Sequence, residues 1–121
     1  MRKICITALL SSALTLLAVY GLGSTPLPTR TVLENPKVRV REVTYLPGVP
    51  RPRYIRPTDQ VIVFLDDSKY ERTDSQTGEK AVRERKSGEV IWHDRSEDAP
   101  VLVNVGSKPY RTLVIELKEG R

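Results

Sequence analysis

At 121 residues, with twenty basic and fifteen acidic side chains for a formal charge of +5, the chain has room for one hydrophobic core and hardly for two. Its one cysteine, Cys5, lies in an apolar N-terminal run with no small residues set before it like a lipobox, so neither a lipid anchor nor a disulfide is expected. Acidic and basic residues interleave from Tyr70 to Glu89, which leaves no single-sign stripe for nucleic acid.

Arg2 and Lys3 precede an uncharged, mostly apolar stretch from Ile4 to Tyr20, which reads as a signal peptide over residues 1–23. Gly21 and Gly23 are spaced for a cut near Gly23 or Ser24. The rival is an uncleaved anchor, for which this stretch is at the short edge. Under either reading the folded part is exported, periplasmic or secreted, with no membrane contact beyond this segment. Residues 24–30, STPLPTR, carry two prolines and no periodicity and read as a linker. One domain is expected over residues 31–121.

Within it, short runs rich in Val, Ile, Tyr and Thr recur about every ten residues, an all-β signature. They are Val38–Leu46, Gln60–Leu65, Lys69–Thr73, Lys80–Lys86, Glu89–His93, Val101–Val105 and Tyr110–Lys118, with a short one at Thr31–Leu33. Turn residues separate them at Pro47–Gly48, Asp66–Asp67, Ser75–Glu79, Ser87–Gly88 and Gly106–Pro109. Val61–Leu65 is apolar on both faces and belongs in the middle of the fold. The pattern fits a closed or double-sheet antiparallel barrel and also an immunoglobulin-like sandwich.

The stretch RPRYIRPTDQ in front of that buried run discriminates between the two. From Gly48, five residues intervene before Tyr54-x-Arg56, three before Gln60 and six before Asp67. That frame resembles the first motif of the cupin family, a glycine, five residues, His-x-His, three or four residues, Glu, six residues and a glycine. The segment KSGEVIWHDRSEDAPVLVNVGSKPYRTLVIELK resembles the second motif and its closing strand, with Gly88 and Asn104 at the ends, one residue too far apart. The resemblance covers about Val32 to Lys118. It implies an all-β, cupin-like antiparallel β-barrel, a double-stranded β-helix or jelly roll, and pairing of its sheets as a homodimer.

Members of the family bind a metal through the two histidines and the glutamate of the first motif and a histidine of the second. This chain has Tyr54, Arg56 and Gln60 at the first three positions and Ala99 or Pro100 at the fourth, so no metal and no other cofactor is expected. Arg56 would place a permanent cation where the ion would sit. Mapped on the family frame, Tyr54, Arg56 and Gln60 point into the barrel mouth and suit a small anionic ligand, the arginine fork meeting carboxylate or phosphate. The alternative is an exposed, proline-stiffened loop.

Three further residues bear on the site. Strict alternation in Val38–Leu46 sends Glu42 inward as a partner for Arg56, whereas a bulge near Arg41–Glu42 would turn Val43 and Tyr45 inward instead. His93, at the end of a strand, is a surface or structural residue or, oriented by Asp94 or Glu97, a general base. Trp92 is then the inward residue, as core or pocket wall, and Tyr110 is packing. Three readings follow: an exported metal-free module binding a small anion; a metal-independent isomerase or lyase using His93 or Glu42 as base with Tyr54 or Arg56 as electrophile; and a partner-binding barrel with a filled interior.

Overall fold

The computed structural model describes residues 26–118, built entirely of strands, turns and loops. The expected signal peptide and the first two residues of the linker lie outside this range. Eleven strands run in chain order among the described residues: β1 Thr29–Glu34, β2 Val38–Tyr45, β3 Pro50–Arg51, β4 Tyr54–Ile55, β5 Asp59–Phe64, β6 Ser68–Thr73, β7 Lys80–Arg85, β8 Val90–His93, β9 Asp98–Ala99, β10 Val101–Asn104 and β11 Tyr110–Leu117. A five-stranded sheet in the order β1-β2-β11-β5-β8 packs against a four-stranded sheet in the order β3-β10-β6-β7. The short strands β4 and β9 form a separate pair.

The pleat explains which residues enter the core, because alternate residues of a strand share a face. In β11 Tyr110, Thr112, Val114 and Glu116 are buried, and in β5 the buried residues are Gln60, Ile62 and Phe64. Rings fill one end. Tyr45 and Tyr110 stack with centroids 4.8 Å apart, and Phe64 and Tyr70 lie parallel at 6.2 Å. Such offset pairs add to the area that they bury.

Asn104 ties the sheets together at this end. Its buried amide donates to the carbonyls of Tyr45 and Lys108 at 2.8 Å, its side-chain oxygen accepts from the Gly106 N–H, and its own carbonyl accepts from the Gly48 N–H at 2.9 Å. Gly48 has φ 77°, where a side chain would be strained.

The eight expected runs all appear as strands, and the barrel replaces the sandwich alternative. Three details differ. The strands β3, β4 and β9 are too short, at two residues each, to show a period. The linker is shorter than expected, because β1 starts at Thr29, the Pro28 carbonyl accepts from Thr44, and Leu27 packs on the core. Finally, β2 presents its odd positions inward. Val43 and Tyr45 are buried as the bulge alternative required, yet the β2–β11 ladder runs unbroken from Val38 to Tyr45. The irregularity lies instead in β1, between Thr31 and Leu33.

Glu42 is therefore turned away from the interior and is not a partner of Arg56. It pairs with Arg30 at 3.0 Å. The inward carboxylate is Glu116, 4% exposed, which takes Arg39 at 2.7 Å and Arg41 at 2.9 Å from the inner face of β2.

Candidate functional site

A cavity of about 220 Å³ lies between the two sheets. Its floor is apolar and aromatic, with Tyr45, Ile62, Phe64, Tyr70 and Tyr110, and its walls carry five arginines, 51, 56, 72, 83 and 85. His93, Glu97 and Tyr54 complete the mouth.

The proline-punctuated segment 50–57 delivers two of these cations. Prolines deprive the backbone of donors, so only the fragments β3 and β4 pair, β3 with β10 and β4 with β9. In the second pair Tyr54 stands opposite Ala99, so a first-motif ligand position does face one of the two candidates for the second-motif position. Arg56 is clamped by its backbone. Its N–H donates to the Glu97 carbonyl at 3.0 Å and its carbonyl accepts from Ser96 at 2.8 Å. Ser96 has φ 72°, a left-handed conformation that costs a non-glycine residue roughly 1–2 kcal/mol.

The Arg56 side chain is 5% exposed and has neutral partners only. Its Nη1 donates to Gln60 Oε1 at 2.8 Å and to the Tyr54 hydroxyl at 3.3 Å. Its Nε and the Gln60 Nε2 are buried without a partner. Burial, with some help from the charge of Arg51, pulls the guanidinium below its ordinary pKa, against the opposing influence of Tyr54 and Glu97. Arg51 and Arg56 both sit over the Tyr54 ring, at 5.4 and 5.6 Å from its centroid, a cation–π arrangement. Arg51 also donates to the Pro100 carbonyl and, at 3.4 Å, to the Tyr45 hydroxyl.

Pairing between β5 and β8 sets Gln60 opposite His93 and Val61 opposite Trp92. Gln60 is inward, so His93 is inward and Trp92 is not. This corrects the expected orientation: Trp92 is 51% exposed, bonded to Asp94 at 2.8 Å, and forms no part of the cavity wall. His93 donates from Nδ1 to Glu97 Oε2 at 2.8 Å, and the other Glu97 oxygen accepts from the Asp94 N–H. Burial lowers the pKa of His93 despite Glu97, with the charges of Arg56 and Arg51 adding to the effect. Burial opposes ionisation of Glu97 as well, yet its bonds from Asp94 and His93 and the charge of Arg56 hold it below the usual carboxylate value. At neutral pH the pair is a neutral imidazole on an ionised carboxylate, with the Nε2 lone pair left to accept a proton.

The donor set does not fit a first-row metal. Among the described residues no three His, Cys, Asp or Glu side chains converge on one point; of the three such groups lining the cavity, His93 and Glu97 are bonded to each other beside a guanidinium, and Asp98 is bonded to Arg53 and Ser75.

The arginines divide sharply. Arg30, Arg39, Arg41, Arg53, Arg85 and Arg111 each meet a carboxylate. Arg51, Arg56, Arg72 and Arg83 form no salt bridge with a described residue, and all four line the cavity. Sequence reading missed Arg51, Arg72 and Arg83 as wall residues. The last two stand in the mixed-charge stretch from Tyr70 to Glu89, and only their even spacing with Tyr70 or Arg85 hints at a shared face.

No protein-family model and no curated protein matches this sequence. Solved structures do match. A cupin domain from Bordetella pertussis superposes with a TM-score of 0.70 at 14% identity, over 79% of this chain and 97% of that one. The polyketide cyclase RemF from Streptomyces resistomycificus gives 0.65 at 20% identity, over 80% and 68%. The DMSP lyase DddQ from Ruegeria pomeroyi gives 0.61 at 12% identity, over 83% and 54%. The domain has the cupin fold, a double-stranded β-helix, and at these identities the likeness speaks for the fold alone.

Proposed function

We propose that this cupin-fold domain binds a small organic anion in the cavity between its sheets. One observation carries the reading: among the described residues six arginines meet carboxylates, while Arg51, Arg56, Arg72 and Arg83, which form no salt bridge with a described residue, all line the same cavity. Holding the buried Arg56 guanidinium without a carboxylate is costly unless a ligand supplies the counter-charge, and the half-buried Arg51 and Arg72 and the exposed Arg83 add to the positive field. Arg56, buried with only an amide oxygen and a phenol as acceptors, is the anchor. The aromatic floor selects a ligand with an apolar body. Export of the domain, expected from residues 1–23, would put this site outside the cytoplasm.

The test is the melting temperature of the purified protein against rising benzoate, citrate and inorganic phosphate. A ligand held by the native state alone raises it by mass action. Arg56→Gln is expected to remove the rise. A rise that survives in the variant would move the anion site elsewhere.

A second reading, metal-independent proton transfer, is favoured by the Glu97–His93 pair at the same mouth. A base needs a pKa near working pH and a fixed orientation. Here His93 would take a proton from the carbon beside the ketone of a 2-oxo acid whose carboxylate Arg56 holds, with the Tyr54 hydroxyl facing the ketone oxygen as it becomes the enolate. The enzymes among the structural neighbours, a cyclase and a lyase, suit this reading by analogy only. Deuterium exchange into pyruvate, followed by proton NMR, checks it: a rate above buffer that His93→Gln abolishes supports the base, and an unaltered rate removes it.

A further inference from the structure

The unpaired cations are not one cluster. Arg51 lies on β3, beside Leu102 of β10, which lies beside Arg72 of β6. The three form one row across the sheet, so two strand spacings, about 10 Å, separate the Cα atoms of Arg51 and Arg72. Arg83, on β7, stands opposite Tyr70, a neighbour of Arg72 on the same face of β6. Arg56 adds to the Arg51 side, close enough that the charge of Arg51 is felt at its guanidinium. The cavity therefore has two cationic poles, Arg51 with Arg56 and Arg72 with Arg83, with the apolar Leu102 between Arg51 and Arg72 and the rings of Phe64 and Tyr70 also in its lining.

From this we infer that the ligand is a dianion whose two acidic groups are held apart by a rigid, ring-sized apolar spacer. The inference rests on the anion-binding reading and narrows it. A single anion at Arg51 and Arg56 would leave the half-buried Arg72 without a counter-charge at the other wall, where the exposed Arg83 adds a second cation, whereas an acidic group at each end meets both poles. The size agrees: a cavity of about 150 Å³ accepts benzene, so about 220 Å³ admits one ring with two carboxylates. A flexible dianion would forfeit rotor entropy on being stretched between the poles, a cost that a rigid ring avoids.

Calorimetric titration of the purified protein with benzoate and with terephthalate, at one low ionic strength, tests the inference. Terephthalate is expected to bind at least tenfold more tightly than benzoate. The double variant Arg72→Gln/Arg83→Gln breaks no salt bridge among the described residues and should weaken terephthalate by at least tenfold more than it weakens benzoate, bringing the two affinities together. Arg56→Gln should weaken both. Equal affinities for the two compounds in the unaltered protein, or a double variant that keeps the preference, would overturn the dianion while leaving the anion site standing. No binding of either compound at millimolar concentration would overturn both readings.

Discussion

Arg56 and Gln60 make a closed thermodynamic cycle that separates a residue kept for binding from one kept for the fold. Arg56→Met removes a buried guanidinium and with it a desolvation penalty of several kcal/mol, but leaves the Gln60 oxygen with only the Tyr54 hydroxyl at 3.4 Å. An unsatisfied buried acceptor costs about 1–3 kcal/mol, so the two effects nearly cancel. The unfolding free energy should stay within about 1 kcal/mol of the parent or rise. Gln60→Leu does the reverse. It strands a charged donor with the Tyr54 hydroxyl at 3.3 Å as its remaining side-chain acceptor and should cost about 2–4 kcal/mol. The double variant should recover most of that loss, giving a coupling of about 2 kcal/mol. Urea denaturation at pH 7 reads all four proteins. In parallel, Arg56→Met should weaken the anion by roughly 10- to 100-fold, the equivalent of one charge-assisted hydrogen-bonding group. A loss above about 3 kcal/mol for Arg56→Met with anion affinity intact would refute the reasoning and make Arg56 a structural residue.

His93, with its folded pKa below the unfolded value of 6.5, makes the native state bind fewer protons than the unfolded chain as pH falls through 6.5. Stability should therefore drop on acidification from about pH 7.5 and level off below the folded value; His93→Gln should flatten that part of a urea-midpoint series, and parallel curves would remove His93 as the cause. Asn104→Ala deletes three hydrogen bonds of a residue that is 2% exposed, so a loss of about 2–4 kcal/mol is expected, read as an earlier thermal midpoint. Tyr54→Phe gives up two long hydrogen bonds but keeps the ring under Arg51 and Arg56. Its stability should lie within about 1 kcal/mol of the parent and its benzoate affinity within about threefold, by the same denaturation and titration measurements.

Strand number and placement were legible in the sequence because Val, Ile, Tyr and Thr runs broken by turn residues survive any register. Which side of each strand faces in was not. The rule that apolar residues turn inward fails on β2 and β8, because the outer face of the five-stranded sheet is apolar too. Val61, Val63, Val90 and Trp92 share that face, while Arg39, Arg41, Glu116, Gln60 and His93 occupy the inner one. Hydropathy therefore pointed Trp92 inward and His93 outward. Pairing with Gln60 reverses the pair, and nothing in one strand alone reveals it. The motif frame did carry Tyr54, Arg56 and Gln60 to one point, since their separations are set by a short chain segment and not by sheet register. The wall from β6 and β7 was hidden for the opposite reason: Arg72 and Arg83 acquire meaning only through the sheet that faces them.

The order of strands bears on how the chain reaches this state. The centre of the larger sheet, between β2 and β5, is occupied by β11, the last strand of the chain among the described residues. Until residues 110–117 are available, the β1–β2 pair has no ladder linking it to β5 and β8, and the ring of Tyr110 is missing from the core. Nascent chains shorter than this must stay open, and the final closure brings together segments far apart in sequence, a topology that folds slowly. Such a chain commits late, as a unit, with its arginine-lined chamber formed in the same step as its core.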